Sequence, residues 1–346
     1  MTLIAGFRSF GTPTLIGDFL ITTGDAVAGL RKKVLIVADN FALAWTGHLL
    51  AADSVVKSLQ SYLDLDAVQI EAVRAILTNR TTSDLGTLHV SLICWVIDNQ
   101  GDHCFRWNSQ DPNKVRWGAP IYDGSGESFV EALVGGGLRD SFKPTSIDPD
   151  RTVDGALDVT TKLMVSEMLG PSTHPHGFGF AYEIIQGKSH RFEYVDNILY
   201  FAVTHELDDT GKHFSSHFAG SIYKYQSHEN YTLINVYDPS KNAHNVHVVS
   251  PVGQESKETL DTLVLGAERS DYLFPFSSQY YCVFIRFNAP DFESPPLVLI
   301  QGNHVPQNDR IFEVTAKKEL LLHVKPAMIE WMYRTIREDQ ARKTTT

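Results

Sequence analysis

The chain has 346 residues, 43% hydrophobic and 21% charged, with 30 Lys and Arg against 41 Asp and Glu and a formal net charge of −11. That acidity argues against a nucleic-acid binder and against docking on anionic membrane, and no run approaches the roughly 20 apolar residues of a spanning helix. MTLIAGFRSFGT lacks the layout of a signal peptide; three scattered cysteines (Cys94, Cys104, Cys282) give neither a disulfide framework nor a zinc knuckle and fit a reducing, cytoplasmic setting, with Cys94 in a strand-like run reading as a buried thiol.

TLIAGFR (2–8) and LIGDFLIT (15–22) read as strands joined by a turn at Gly11, Thr12 and Pro13. KVLIVAD (33–39) and FALAWTG (41–47) form a tight hairpin about Asn40. A helix follows, with Leu49, Ala52, Val56, Leu59 and Leu63 near helical period; a second places Val68, Ala72, Ala75 and Ile76 on one side. LHVSLICWVID (88–98), DHCFRWN (102–108) and KVRWGAPIYDG (114–124) are strands. ESFVEALVGG and TVDGALDVTTKLMVSEMLG are helices, the first ending at Gly135-Gly136-Gly137, the second capped by Asp150 and stopped by Gly170-Pro171. GFGFAYEIIQG (177–187) and RFEYVDNILYFAV (191–203) are the last strands of this half.

Paired helices between blocks of antiparallel strands predict an α+β fold, a layered αββα sandwich over 1–205. Residues 206–346 read as a β-rich extension of unknown role. LDDTGKH is a candidate linker, although residues near 205–225 can equally extend the last sheet. A helix over 316–338 closes the chain, ended or kinked by Pro326, before a loose ARKTTT tail.

Five residues form an ordered set. Thr2 follows Met1, Asp18 lies in IGDF, Lys33 in LRKKV, Gly47 in WTGH and Ser125 in GSG; the first three spacings are 16, 15 and 14. A Thr hydroxyl is a poor nucleophile without a base. A free α-amine, with a pKa of about 7.7–8.0, is one close to working pH. A terminal Thr therefore carries nucleophile and base in one residue, once Met1 is removed.

With the strand–helix order and the TG-xxxAD landmark (Gly47, Ala52, Asp53), the set resembles the proteasome β-type subunit family over about residues 2–204. These are threonine peptidases among the N-terminal-nucleophile hydrolases. The resemblance implies amide hydrolysis of a peptide or small amide through an acyl-ester on Thr2. Lys33 lowers the pKa of the Thr2 hydroxyl and amine, with Lys32 as its rival for the role. Asp18 pairs with the lysine, the Gly47 N–H faces the oxyanion, and Ser125 hydrogen-bonds the Thr2 amine. It further implies no cofactor and a homo-oligomer, a ring or a dimer. Lys33→Ala is expected to remove turnover and leave stability near wild type.

There are departures. The family carries an acid ahead of its final strands; here the stretch is GPSTHPHGFGF, offering only Ser172, Thr173, His174 and His176. Leu3 replaces the family's second Thr or its equivalent, and 206–346 has no counterpart in a minimal subunit. A silent relative whose C-terminal region binds a partner is the alternative, and a small-amide amidase a third reading. His174-x-His176 and His244-x-x-His247 have no nearby Cys or carboxylate pair and read as surface or packing residues. GFGF opens a strand, and no P-loop, dinucleotide fingerprint or nucleophile elbow is present.

Overall fold

The computed structural model describes residues 2–23, 26–79, 85–137, 152–170, 174–207, 214–228, 231–252, 276–289, 292–293, 297–303, 312–314, 322–324, 330, 334, 338 and 341. It is a mixed α+β fold, mostly β-sheet. In chain order the amino-terminal half holds β1 (Leu3–Ser9), β2 (Thr12–Asp18), β3 (Leu20–Thr23), β4 (Ala26–Leu30), β5 (Val34–Ala38) and β6 (Phe41–Gly47). Helices α1 (Leu49–Tyr62) and α2 (Ile70–Thr78) follow. Next come β7 (Val90–Asp98), β8 (Gly101–Asn108), β9 (Arg116–Trp117) and β10 (Ile121–Gly124), then α3 (Glu127–Gly137) and α4 (Asp154–Leu169). The chain continues through β11 (Tyr182–Lys188), β12 (Arg191–Tyr194), β13 (Ile198–Leu207), β14 (Phe214–Ser227), β15 (Thr232–Asp238) and β16 (Ala243–Val249). It ends with β17 (Tyr280–Ala289), β18 (Phe292–Glu293), β19 (Leu297–Gly302), β20 (Phe312–Val314) and β21 (Leu322–Val324).

Two sheets have five strands each, in the orders β10-β1-β2-β11-β12 and β5-β6-β7-β8-β9. Their central strands β1, β2, β6 and β7 are buried almost throughout because both faces are covered. Alternation along β1 makes the division visible. Ile4 joins Leu15, Ile121 and Ile185 from its own sheet with Ala42, Ala44, Ile93 and Trp95 from the other. Leu3, Ala5 and Phe7 point the opposite way, into a cluster with Val130 of α3 and Leu157 and Met164 of α4. The outer face of the second sheet is covered by Val55, Val56 and Leu59 of α1 and Val73 and Leu77 of α2. Small residues let the two sheets close: a Cβ on Gly17 would stand 2.6 Å from Val34 Cγ2.

The C-terminal strands build a seven-stranded sheet in the order β16-β15-β14-β13-β17-β18, with β19 also on β17. Tyr200, Tyr223 and Cys282 of this sheet join the cluster of α3 and α4, so those helices are covered on both sides. Strand β13 pairs antiparallel with β14 and parallel with β17, so the division near residue 205 falls inside one strand. All three cysteines are buried thiols, and burial pushes Cys104 up to about 12.

Some sequence expectations change. The run 15–22 breaks at the buried Phe19: β2 belongs to the first sheet, whereas β3 pairs with β4, a strand the sequence reading lacks. The run 191–203 breaks likewise, β12 staying in the first sheet and β13 starting the third. GFGF does not open a strand. Gly177, Gly179 and Phe180 have φ of 77°, 121° and 76°, a close run of positive values that keeps the segment out of an extended ladder, and β11 starts at Tyr182. Within the expected helix 316–338, residues 322–324 instead pair with β20, while Glu330, Arg334 and Glu338 are helical. Asp150, Pro171, Pro326 and most of LDDTGKH lie outside the described residues. No helix among the described residues is long and apolar enough to cross a membrane.

Candidate active site

The site is built around Asp18, the last residue of β2, whose side chain is fully buried. Its Oδ1 accepts from Thr2 Oγ1 at 2.5 Å, from the Leu3 N–H at 2.9 Å and from Lys33 Nζ at 2.8 Å. Its Oδ2 accepts from the Leu20 N–H at 3.2 Å and the Gly179 N–H at 3.0 Å. A buried carboxylate is tolerated only with such saturation.

Local geometry places each partner. Thr2 immediately precedes β1, whose Ile4 faces Gly17 across the ladder, so the start of β1 lies beside the end of β2 and both Thr2 and Leu3 reach Asp18. The β2–β3 break turns the backbone so that both Leu20 groups face inward: its N–H meets Asp18, and its carbonyl accepts from Lys33 Nζ in a short contact. Burial pushes the Lys33 ammonium below its ordinary value, and the charge and hydrogen bond of Asp18 offset part of that shift. Lys33 and Asp18 are 1% and 0% exposed at the side chain, so removing either strands the other in a dry interior. Lys33→Ala therefore costs stability as well as the ion pair, unlike the near-wild-type stability expected from sequence.

Thr2, Asp18 and Lys33 thus come together. Ser125 also reaches Thr2, but its Oγ donates to the Thr2 carbonyl at 3.3 Å, the same oxygen that receives the Gly126 N–H at 3.3 Å. Gly124 is required there: its φ is +96°, and a Cβ would stand 2.1 Å from the Thr2 oxygen. Gly47 ends β6 with φ +110°, and a Cβ there would meet the His89 carbonyl at 2.4 Å. It lies two residues beyond Trp45, whose N–H binds the Lys33 carbonyl. That is its described link to the site. Asp53 is a surface residue paired with Lys57.

The expected acid before the last strands has no side-chain substitute among the described residues. His176 packs on Phe129 and Phe178, with ring centroids 5.6 and 6.4 Å away. The segment instead delivers the Gly179 N–H to Asp18. Ser172, Thr173 and the side chain of His174 lie outside what the structure describes. His247 meets Phe180 edge to face, with ring centroids 4.7 Å apart, and His244 meets Asn235 Oδ1 at 3.2 Å. No metal-holding group of three His, Cys, Asp or Glu occurs among the described residues.

Lys32 is not the rival partner of Asp18. Successive side chains of extended backbone point apart, and Lys32 Nζ lies 3.0 Å from Glu183 Oε1 instead. Glu183 was invisible as a functional residue because AYEIIQ reads as an ordinary strand. A charge inside that apolar run was the available signal. Burial raises its pKa, while Lys32 and the hydroxyls around it pull the other way.

No protein-family model matches this chain, and no curated protein matches it either.

Proposed function

We propose that this protein is an N-terminal-nucleophile hydrolase of proteasome-like type, with Thr2 as nucleophile and a peptide or small amide as substrate. One observation carries the reading: a single oxygen of a buried carboxylate, Asp18 Oδ1, holds both the Thr2 hydroxyl and the Lys33 ammonium. In support, helices α1 and α2 cover one five-stranded sheet and α3 and α4 the other. On this reading the amino-terminal body is a four-layer αββα sandwich.

Removal of Met1 frees the Thr2 α-amine as base. Asp18, its lone pairs occupied by five donors, positions rather than takes a proton. The Thr2 hydroxyl proton passes to the amine as oxygen attacks the carbonyl carbon. Lys33, held on the same Asp18 oxygen as the Thr2 hydroxyl, stabilises negative charge developing on that hydroxyl. The tetrahedral intermediate expels the amine leaving group, protonated by the Thr2 ammonium, and leaves an ester on Thr2 that water cleaves. Gly47 supplies the oxyanion N–H, and Ser125 anchors the Thr2 carbonyl. A cytoplasmic homo-oligomer, ring or dimer, belongs to the same reading.

A second reading has its own support. Thr2 is only 2% exposed, and its hydroxyl is satisfied by Asp18, as in a silent structural relative whose C-terminal region binds a partner. An epoxyketone probe, which needs both hydroxyl and free amine, separates the two. Labelling of wild type at Thr2 and none of Thr2→Ala supports the hydrolase. No labelling of wild type rejects it.

A further inference from the structure

Lys32 and Glu183 form a second buried ion pair that the chemistry above does not use; their side chains are 0% and 1% exposed. Each sits one place from a member of the first pair. Lys32 precedes Lys33, and Glu183 lies opposite Gly17, which precedes Asp18. The groups that meet Lys32 Nζ and Glu183 Oε1 come mainly from the C-terminal sheet. Tyr225 OH donates to Glu183 at 2.9 Å, Ser227 Oγ at 3.2 Å and Thr232 Oγ1 at 3.3 Å. Lys32 Nζ donates to Ser227 Oγ and to the His228 carbonyl, both at 3.1 Å. The Lys32 backbone is gripped too: its N–H binds the Ser250 carbonyl at 3.0 Å, and its carbonyl accepts from Trp45 Nε1 at 3.2 Å. The first sheet adds only the ring of Tyr194, 3.9 Å from Lys32 Nζ.

Buried charges are stable only with their partners. Without the ends of β14 and β15, Lys32 and Glu183 would have to reach water. Lys32 is bonded directly to the residue whose ammonium must stay on Asp18, so that movement would carry Lys33 with it.

We propose that the C-terminal sheet is the positioning element of the candidate active site: it clamps Lys32 and Glu183 and so sets Lys33 against Asp18. This assigns a task to the region beyond residue 206. The clamp's geometry stands alone, whereas its consequence for reactivity rests on the reading of Thr2 as nucleophile. Lys32 and Glu183 are positioning residues, since neither touches Thr2.

The test uses the full chain with lysine labelled at Cε, following the Lys33 titration by NMR, assigned through Lys33→Arg. Lys32→Met/Glu183→Gln removes a plus and a minus charge together, so its direct electrostatic effect on Lys33 is small. A shift then reports movement. The Lys33 pKa is expected to rise by about one unit toward its ordinary value as water reaches it. Thr2 labelling by the epoxyketone is expected to slow on the order of tenfold or more, since a misplacement of about 1 Å can cost about 100-fold. Tyr225→Phe/Thr232→Val keeps both charges, removes two donors, and should move both readouts the same way by less. It decides the matter if the first variant does not fold. Folded variants with an unmoved Lys33 titration overturn the proposal, whatever Thr2 does. A moved titration in a protein whose wild-type Thr2 never reacts upholds the clamp and rejects the nucleophile.

Discussion

Asp18→Asn isolates the charge at the centre of the site while keeping its shape. In the wild type Oδ1 receives three donors and Oδ2 two. An amide has one acceptor oxygen, so in either orientation its NH₂ faces N–H or O–H donors. The substitution also leaves Lys33 buried without its counter-charge. Breaking a buried pair from one side costs about 3–5 kcal/mol. The assay is urea unfolding at pH 7, followed by two probes whose transitions must coincide. Asp158→Asn is the control. Asp158 pairs with Lys162 at 2.6 Å along α4, but both side chains are about a third exposed, so its loss should stay near 0.3–0.5 kcal/mol. If Asp18→Asn lies within about 1 kcal/mol of wild type, the carboxylate does not sustain Lys33 and the reasoning fails.

Gly124→Ala should destabilise more than Gly11→Ala. Both residues have positive φ, but a Cβ on Gly11 meets nothing within 4 Å, whereas one on Gly124 reaches the Thr2 carbonyl. Equal losses in urea would show that the close approach has no weight. Thr2→Val keeps the shape and removes the hydroxyl from the Asp18 carboxylate; a loss of about 1.5–3 kcal/mol is expected, and unchanged stability would count against that hydrogen bond. His205 gives a pH signature. Burial, then His217, lowers its pKa to about 4 from 6.5, so on acidification the unfolded chain takes the proton first. Its contribution is present above about 6.5 and is lost as pH falls toward about 4. His205→Gln should flatten the acid side of the melting-temperature profile over that window, and identical profiles would contradict the assignment.

The first half was legible where local chemistry decides structure. The turn at Gly11, the hairpin about Asn40 and the helical period of α1 each carry their own signal, although Thr12 and Pro13, expected in that turn, already belong to β2. So did the Thr2, Asp18 and Lys33 spacing, because β1, β2 and the start of β5 converge by local connection. What was hidden depends on distance along the chain. Parallel pairing of β13 with β17 joins residues some eighty positions apart and leaves no local mark. Lys32 could not be told from Lys33 until their opposite directions were fixed, and Glu183 finds its donors on β14 and β15. The strand β4 was missed because Ala26, Val27 and Ala28 are exposed and carry no alternating pattern. Residues 322–324 look helical by composition, yet pair with β20.

The intact mass of the protein purified from cells, with its amino-terminal peptide sequenced, tests the central claim most directly. The proposed mechanism requires a chain beginning at Thr2 with a free α-amine. A chain that retains Met1 in otherwise folded protein would leave Thr2 without its base and contradict the mechanism.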